Sequence, residues 1–325
     1  MSNKKSKLFN FFFPDGYKIA INIITLFGLI LFILVMHATL KKKSKKFHFL
    51  FIIMINVMIS SILSPLGYLL NWKINTENST EKKLLFGESN GFLCQSQSFI
   101  LAFFQSSRET FLTLLTTIVF INYIKQNNKI INKLFFKNII VFIGYGIPFI
   151  ANLIYSLVGA FGESHLFCFT KLDTSGSTTI CGTIHFGYIF FLLILSFFFT
   201  LYIIIKDYCN KDYDPWTDDD KEKEKGCLNS ELKKIIFYPF AQIFSMSFIF
   251  YYRYRDYFTS EGINGTTVAG ICAIINAISS VLYTCIFILS NNLFCRKNNN
   301  ESEEHKDIRL LTINIDDESD ESIEL

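Results

Sequence analysis

Two charged side chains, Arg108 and Glu109, stand in the middle of a hydrophobic stretch that runs from Cys94 to Ile124. They are the only charges lying deep in any hydrophobic segment of the chain, and a polar belt, Gln105-Ser106-Ser107-Arg108-Glu109-Thr110, surrounds them. An ionisable group at bilayer depth costs several kcal/mol unless protein or water encloses it, so such groups mark interior networks, proton sites or ligand contacts. Being consecutive, the two side chains diverge by about 100° on a helix and are not expected to pair simply with each other. Glu109 is expected to face the interior, in a polar pocket or a switch network. The plainer reading is a structural cluster satisfied by Ser, Asn and backbone carbonyls.

Other segments carry groups that could join such a network. The last hydrophobic segment places Asn276, Ser279, Ser280, Tyr283 and Thr284 on one side, while Gly270, Ala273 and Ala277 permit close helix approach. Asn276 and Tyr283 are candidates for a conformational switch, with packing glue as the bland alternative. Tyr238-Pro239 lies one turn inside the start of the sixth segment. A proline there removes a backbone hydrogen bond and permits a kink, which makes this pair a candidate hinge. Pro148 with Gly144 and Gly146 has the same capacity and no special claim. Cys94 opens the third segment, and a bridge from it to Cys168 or Cys181 would tether the loop between the fourth and fifth segments over one end of a bundle. Cys168 is favoured because Cys181 abuts the fifth segment, although connectivity is not fixed by sequence. Cys295 is a candidate for palmitoylation.

Catalytic signatures are lacking. His37, His48, His165, His185 and His305 do not cluster with carboxylates at hydrolase or metal-ligand spacing. No metal, cofactor or enzymatic activity is expected.

A helix must position the charged pair. At about 1.5 Å per residue, the stretch around it crosses roughly 30 Å of hydrocarbon as one span. Ser98, Ala102, Gln105, Glu109, Thr113 and Thr116 recur at spacings of three and four, giving a polar stripe that lipid would not tolerate. The third segment is therefore expected to be central, with the others packed round it. Half of the 325 residues are hydrophobic, 37 of them Phe, and they come in long blocks. Seven blocks reach span length, at about 17–40, 47–70, 95–124, 137–160, 183–205, 235–257 and 266–290. The first is too long for a signal-peptide core and is followed by KKKSKK rather than small residues, so it is expected to persist as a span.

Loop charges give the orientation. The first, third and fifth linkers carry five, four and seven Lys or Arg, against three, one and two for the alternate linkers. The lysine-rich set is expected in the cytoplasm, which places the N-terminus outside and the C-terminus inside. The sequons at Asn78 and Asn264 then fall outside and are candidate glycosylation sites, whereas the one at Asn300 falls inside. The expected organisation is a short extracellular N-terminus at 1–16, a seven-transmembrane, all-α bundle at 17–290 and a disordered acidic tail at 291–325. Nucleic acid is excluded as a partner, because the basic clusters are short and flank membrane spans.

With seven spans and Cys94 at the head of the third, the chain resembles G-protein-coupled receptors. More narrowly it resembles the cyclic-AMP-receptor-like family of social amoebae. The resemblance rests on KKIIFYPFAQIFSMSFIFYYR in the sixth span, INAISSVLYTCIF in the seventh, Cys94-Gln95, and Leu166-Phe167-Cys168-Phe169 where the family has a cysteine flanked by aromatics. It departs from the family at Cys272-Ala273, where Gln-Gly is usual, and at Phe244-Ser245-Met246, where a tryptophan is expected. The resemblance implies a plasma-membrane receptor that transduces a small extracellular ligand, not itself identified, to a heterotrimeric G protein. Ser319 and Ser322, among carboxylates, are plausible phosphorylation targets. The rival reading is a multi-span transporter or channel with Glu109 as its protonatable site; an odd number of spans and the lack of an internal repeat speak against it.

Overall fold

The computed structural model describes residues 2–41, 49–69, 73–75, 82–84, 91–125, 134–163, 167–170, 176–209, 237–251 and 265–290. Almost all of these are helical. The helices are α1 (Ser2–Lys41), α2 (Phe49–Leu66), α3 (Phe92–Lys125), α4 (Leu134–Val141), α5 (Ile147–Leu157), α6 (Gly176–Cys209), α7 (237–251) and α8 (Gly265–Ser290). A π-turn at Phe142–Gly146 joins α4 to α5 without a break, so the described residues hold seven helical runs. Two short antiparallel ribbons complete the structure, β1 (Lys73–Asn75) with β2 (Lys82–Leu84), and β3 (Phe161–Glu163) with β4 (Cys168–Thr170).

Among the described residues, four helices are long and apolar enough to cross a membrane: Ile19–Thr39, Asn138–Leu157, Ile180–Lys206 and Gly270–Ser290. This is an all-α membrane protein in its make-up. A helix satisfies its own backbone groups, which hydrocarbon cannot do for it. α3 is not among the four although it has 34 residues, because its polar belt lowers its hydropathy. α2 offers the shorter apolar stretch Leu50–Leu66. Pro65 lies in its last turn, and a 3-10 turn at Gly67–Leu69 follows.

Several boundaries differ from the sequence expectation. α1 starts at Ser2 rather than near 17. α6 starts at Gly176, which puts Cys181 in a helix rather than in the preceding loop. The sequons at Asn78, Asn264 and Asn300, residue Cys295, the serines at 319 and 322, the side chains of the lysine-rich linkers other than Lys206 and the tail at 291–325 lie outside the described residues.

α3 is the hub. It packs against α2, α5, α6 and both strands of the β3–β4 ribbon, while α1 packs on α8 and α2. Every residue from Gln105 to Thr113 is buried, so α3 is enclosed all round rather than along one stripe. The outer helices divide into two faces. On α1, Ile19, Ile23, Leu26, Ile30 and Ile33 are exposed, and Ile21, Thr25 and Val35 are buried. On α6, Phe190, Phe191, Phe197 and Phe198 are exposed, and Ile189, Ser196 and Thr200 are buried. The 3.6-residue period thus separates an apolar outer face from a mixed inner one.

Two apolar cores flank the polar belt of α3. One contains Leu101, Phe161, Phe167, Phe169, Phe186, Ile189 and Met246 and lies at the ribbon end. The other contains Val57, Phe111, Leu115, Tyr238, Tyr283 and Phe287. Gly144, within the π-turn, admits the second core. A Cβ at this position would come within 2.2 Å of the Phe111 ring. Gly144→Ala is accordingly expected to destabilise the bundle by about 1–3 kcal/mol, the usual cost of overpacking. Thermal unfolding in detergent checks this, and Phe111→Leu in the same chain should recover part of the loss.

At the end of α5 the chain reverses through Gly159, whose φ of 69° suits glycine. Its N–H donates to the Ser156 carbonyl, and the Ala160 N–H donates to that of Tyr155, after which the chain enters β3.

Candidate functional site

The polar belt is built outward from Arg108, which is fully buried. Its Nε donates to Glu109 Oε1 at 2.8 Å. Its Nη1 donates to Asn276 Oδ1 at 2.9 Å and to Ser279 Oγ at 2.8 Å, both on α8. The guanidinium carbon lies 5.7 Å from the centre of the Tyr283 ring, within cation–π range. Asn276 extends the network to α2, its Nδ2 donating to Ser64 Oγ at 3.1 Å and to the Tyr68 hydroxyl at 3.5 Å. Ser279 Oγ donates in turn to the Asn276 carbonyl, so both α8 acceptors are held in place.

The pairing of Arg108 with Glu109 corrects the expectation that neighbours on a helix diverge too far to meet. The angle between their Cα–Cβ bonds does not decide the outcome, because the arginine stem is long and flexible. Asn276 and Ser279 draw the far edge of the guanidinium toward α8, and its near edge then faces the carboxylate. A buried charge without a partner is costlier than a bent side chain.

The Glu109 carboxylate lies beside the side-chain amide of Gln242 on α7. Tyr283 lies beside Ser245 of α7, and its ring stacks on that of Tyr238 with centroids 6.1 Å apart and planes 9° apart. Arg108, Glu109, Asn276, Tyr283 and Tyr238 therefore converge on the interface of α3, α7 and α8. Pro239 is buried in the first turn of α7 as described, and residues before Phe237 lie outside the described set.

On its other sides α3 is bound by hydroxyls and an amide. Thr110 Oγ1 and the Tyr188 hydroxyl are 2.8 Å apart, Thr113 Oγ1 donates to the Leu192 carbonyl, and Thr116 and Ser196 hydroxyls are 3.1 Å apart. Asn152 Nδ2 donates to Ser106 Oγ from α5. These partners were not singled out from sequence. Tyr188, Leu192 and Ser196 at intervals of four on α6 were the available signal.

At the head of α3, Cys94 is disulfide-bonded to Cys168 of β4. Cys181 is a free thiol. The bridge is one of several ties. Gln95 Nε2 donates to the Phe161 carbonyl, Gln97 Oε1 accepts from the Cys168 N–H, and Ser98 Oγ donates to the Phe169 carbonyl. Gln97 Nε2 also donates to the Gly67 carbonyl, which links the ribbon to the end of α2. Phe161, Phe167 and Phe169 are buried, with Phe167 edge-on to Tyr68. The β3–β4 ribbon is thus a lid whose aromatic side chains fill that end of the bundle.

No protein-family model matches the sequence, and no curated protein matches it.

Proposed function

We propose that the chain is a receptor with seven membrane spans that passes the binding of a small extracellular ligand to a heterotrimeric G protein. In this reading all seven helical runs cross the plasma membrane, with the N-terminus outside and the C-terminus in the cytoplasm. The chain would stand with the cyclic-AMP-receptor-like family that its sixth and seventh spans resemble. The ligand enters at the lid end, beneath the ribbon held by Cys94–Cys168. It signals by favouring one packing of the bundle over another. The moving part is the α6–α7 side, hinged at Tyr238–Pro239, which opens a cleft among the lysine-rich linkers.

The observation that carries this reading is the Arg108 network. It joins α2, α3 and α8 by direct hydrogen bonds at mid-bundle, between the lid and the opposite end. A set of polar contacts in that position supplies two alternative arrangements more readily than an apolar core does. The test is nucleotide exchange on purified heterotrimeric G protein by full-length chain in membranes. Asn276→Ala, which loosens Arg108, should raise ligand-free exchange about fivefold or more, within the usual range of coupling energies. No exchange from either chain with any G-protein class would overturn the reading.

A transporter or channel is the second reading, favoured by the complete burial of Glu109. Proton-coupled uptake in vesicles, abolished by Glu109→Gln, would establish it instead.

A further inference from the structure

The π-turn Phe142–Gly146 interrupts the fourth helical run, and proline chemistry accounts for its place. Pro148 has no N–H, so the Gly144 carbonyl, four residues earlier, has no α-helical donor. The turn takes up one residue more than an α-helix would, and Gly144 and Gly146 both lie within it. Widened turns of this kind are rare in helices and recur at functional sites.

The two halves of the run are fastened to different parts of the bundle. α5 goes with the lid. The Ala160 N–H donates to the Tyr155 carbonyl as the chain turns into β3, the Tyr155 ring meets the Phe161 ring edge-on at 6.3 Å, and Phe149 meets Phe99 and Phe103 toward the head of α3. α4 goes with the opposite core, where Ile140 is buried with Val57 and Leu115. The joint between them is keyed twice. Phe111 of α3 occupies the space beside Gly144. The Tyr145 hydroxyl donates to Asn56 Oδ1 of α2 at 3.0 Å and accepts from Ser60 Oγ at 3.5 Å. Asn56 is itself held, its Nδ2 donating to the Ile52 carbonyl at 2.8 Å.

We propose that the π-turn is a slip joint between α5 and α4, and that Tyr145 is the latch that holds it. A π-turn moves along a helix by exchanging one backbone hydrogen bond at a time, so its passage leaves no polar group bare. Pro148 offers no N–H and stops the turn from moving into α5. Movement is therefore toward α4, and Tyr145, after Gly146, is the residue handed over to the frame of α5. Neighbouring residues on a helix are about 100° apart, so that step swings the Tyr145 hydroxyl away from Asn56. A displacement of the lid then reaches α2 along α5, by a route separate from the one through α3 and Arg108. The joint works in this way whatever the lid responds to, so it does not depend on the receptor reading.

The test is amide hydrogen exchange of the full-length chain in lipid discs, read residue by residue and relative to intrinsic rates. The amides of residues 144–147 are expected to exchange about tenfold faster than those of residues 55–58, which lie at the same depth because Tyr145 and Asn56 are bonded. Tyr145→Phe should quicken the joint several-fold more while the α2 amides keep their rate. Deleting Phe142, which is 63% exposed, removes the extra residue, lets both halves face as they do, and should slow the four amides to the α2 rate. Equal rates at the joint and in α2 of the wild-type chain would show a rigid kink and overturn the proposal. Amides that stay fast after the deletion would overturn it equally, and an unchanged rate in Tyr145→Phe would remove the latch. If the deletion chain fails to fold, the wild-type rates and Tyr145→Phe decide the outcome.

Discussion

Arg108→Met is expected to cost the bundle about 3–5 kcal/mol, while the double replacement Arg108→Met, Glu109→Leu costs much less or nothing. The single variant leaves Glu109, fully buried, without the one cation that faces it among the described residues, and leaves Asn276 Oδ1 without its donor. The double variant removes the charge along with its partner and fills the space with apolar atoms of similar size. The sign of the difference matters most. If the pair only contributes stabilising contacts, the double variant should be the worse of the two. If the dominant effect is a stranded charge, it should be the better. Thermal unfolding of the purified chains in detergent or lipid discs, arranged as a double-mutant cycle, reads this directly. Equal losses in both variants would show that Glu109 finds another partner when Arg108 is gone.

Cys94→Ser is expected to cost about 2–5 kcal/mol, the range for a native disulfide, and to release the lid from the head of α3. Cys94 and Cys168 are 74 residues apart, and the loop they close includes α4 and α5. Two further ties would weaken with it, since the Cys168 N–H bonds to Gln97 and the Phe169 carbonyl to Ser98. Reductant should lower the unfolding temperature of the wild-type chain and leave Cys94→Ser unchanged. Cys181→Ser should behave as wild type, because Cys181 is a free thiol within α6. A reductant-insensitive Cys181→Ser chain would show that the bridge had been assigned to the wrong cysteine.

The two effects act at the head and at the middle of one helix. α3 carries the lid at Cys94, Gln95, Gln97 and Ser98, and four turns further on it carries the ion pair. A ligand that displaced Phe167 or Phe169 would press on α3 from its lid end. The network at Arg108 is where such a displacement would reach α8 and α2.

Much of this arrangement was written in residue types alone. A guanidinium and a carboxylate cannot sit in a span facing lipid, so their mere presence required α3 to be enclosed by other helices. Long Phe- and Ile-rich blocks required helices, because no other open structure satisfies its backbone in hydrocarbon. The choice of Cys168 over Cys181 followed from the nearness of Cys181 to an apolar block. Tertiary structure alone decided the rest. Whether Arg108 reaches Glu109 depends on where α8 places Asn276 and Ser279, more than 160 residues away in sequence. The same holds for Gln242, whose amide opposes Glu109 only because α7 is set against α3. Helical periodicity states which side of a helix is polar. It does not state which neighbour that side meets, because the meeting is fixed by packing between segments and not by spacing within one.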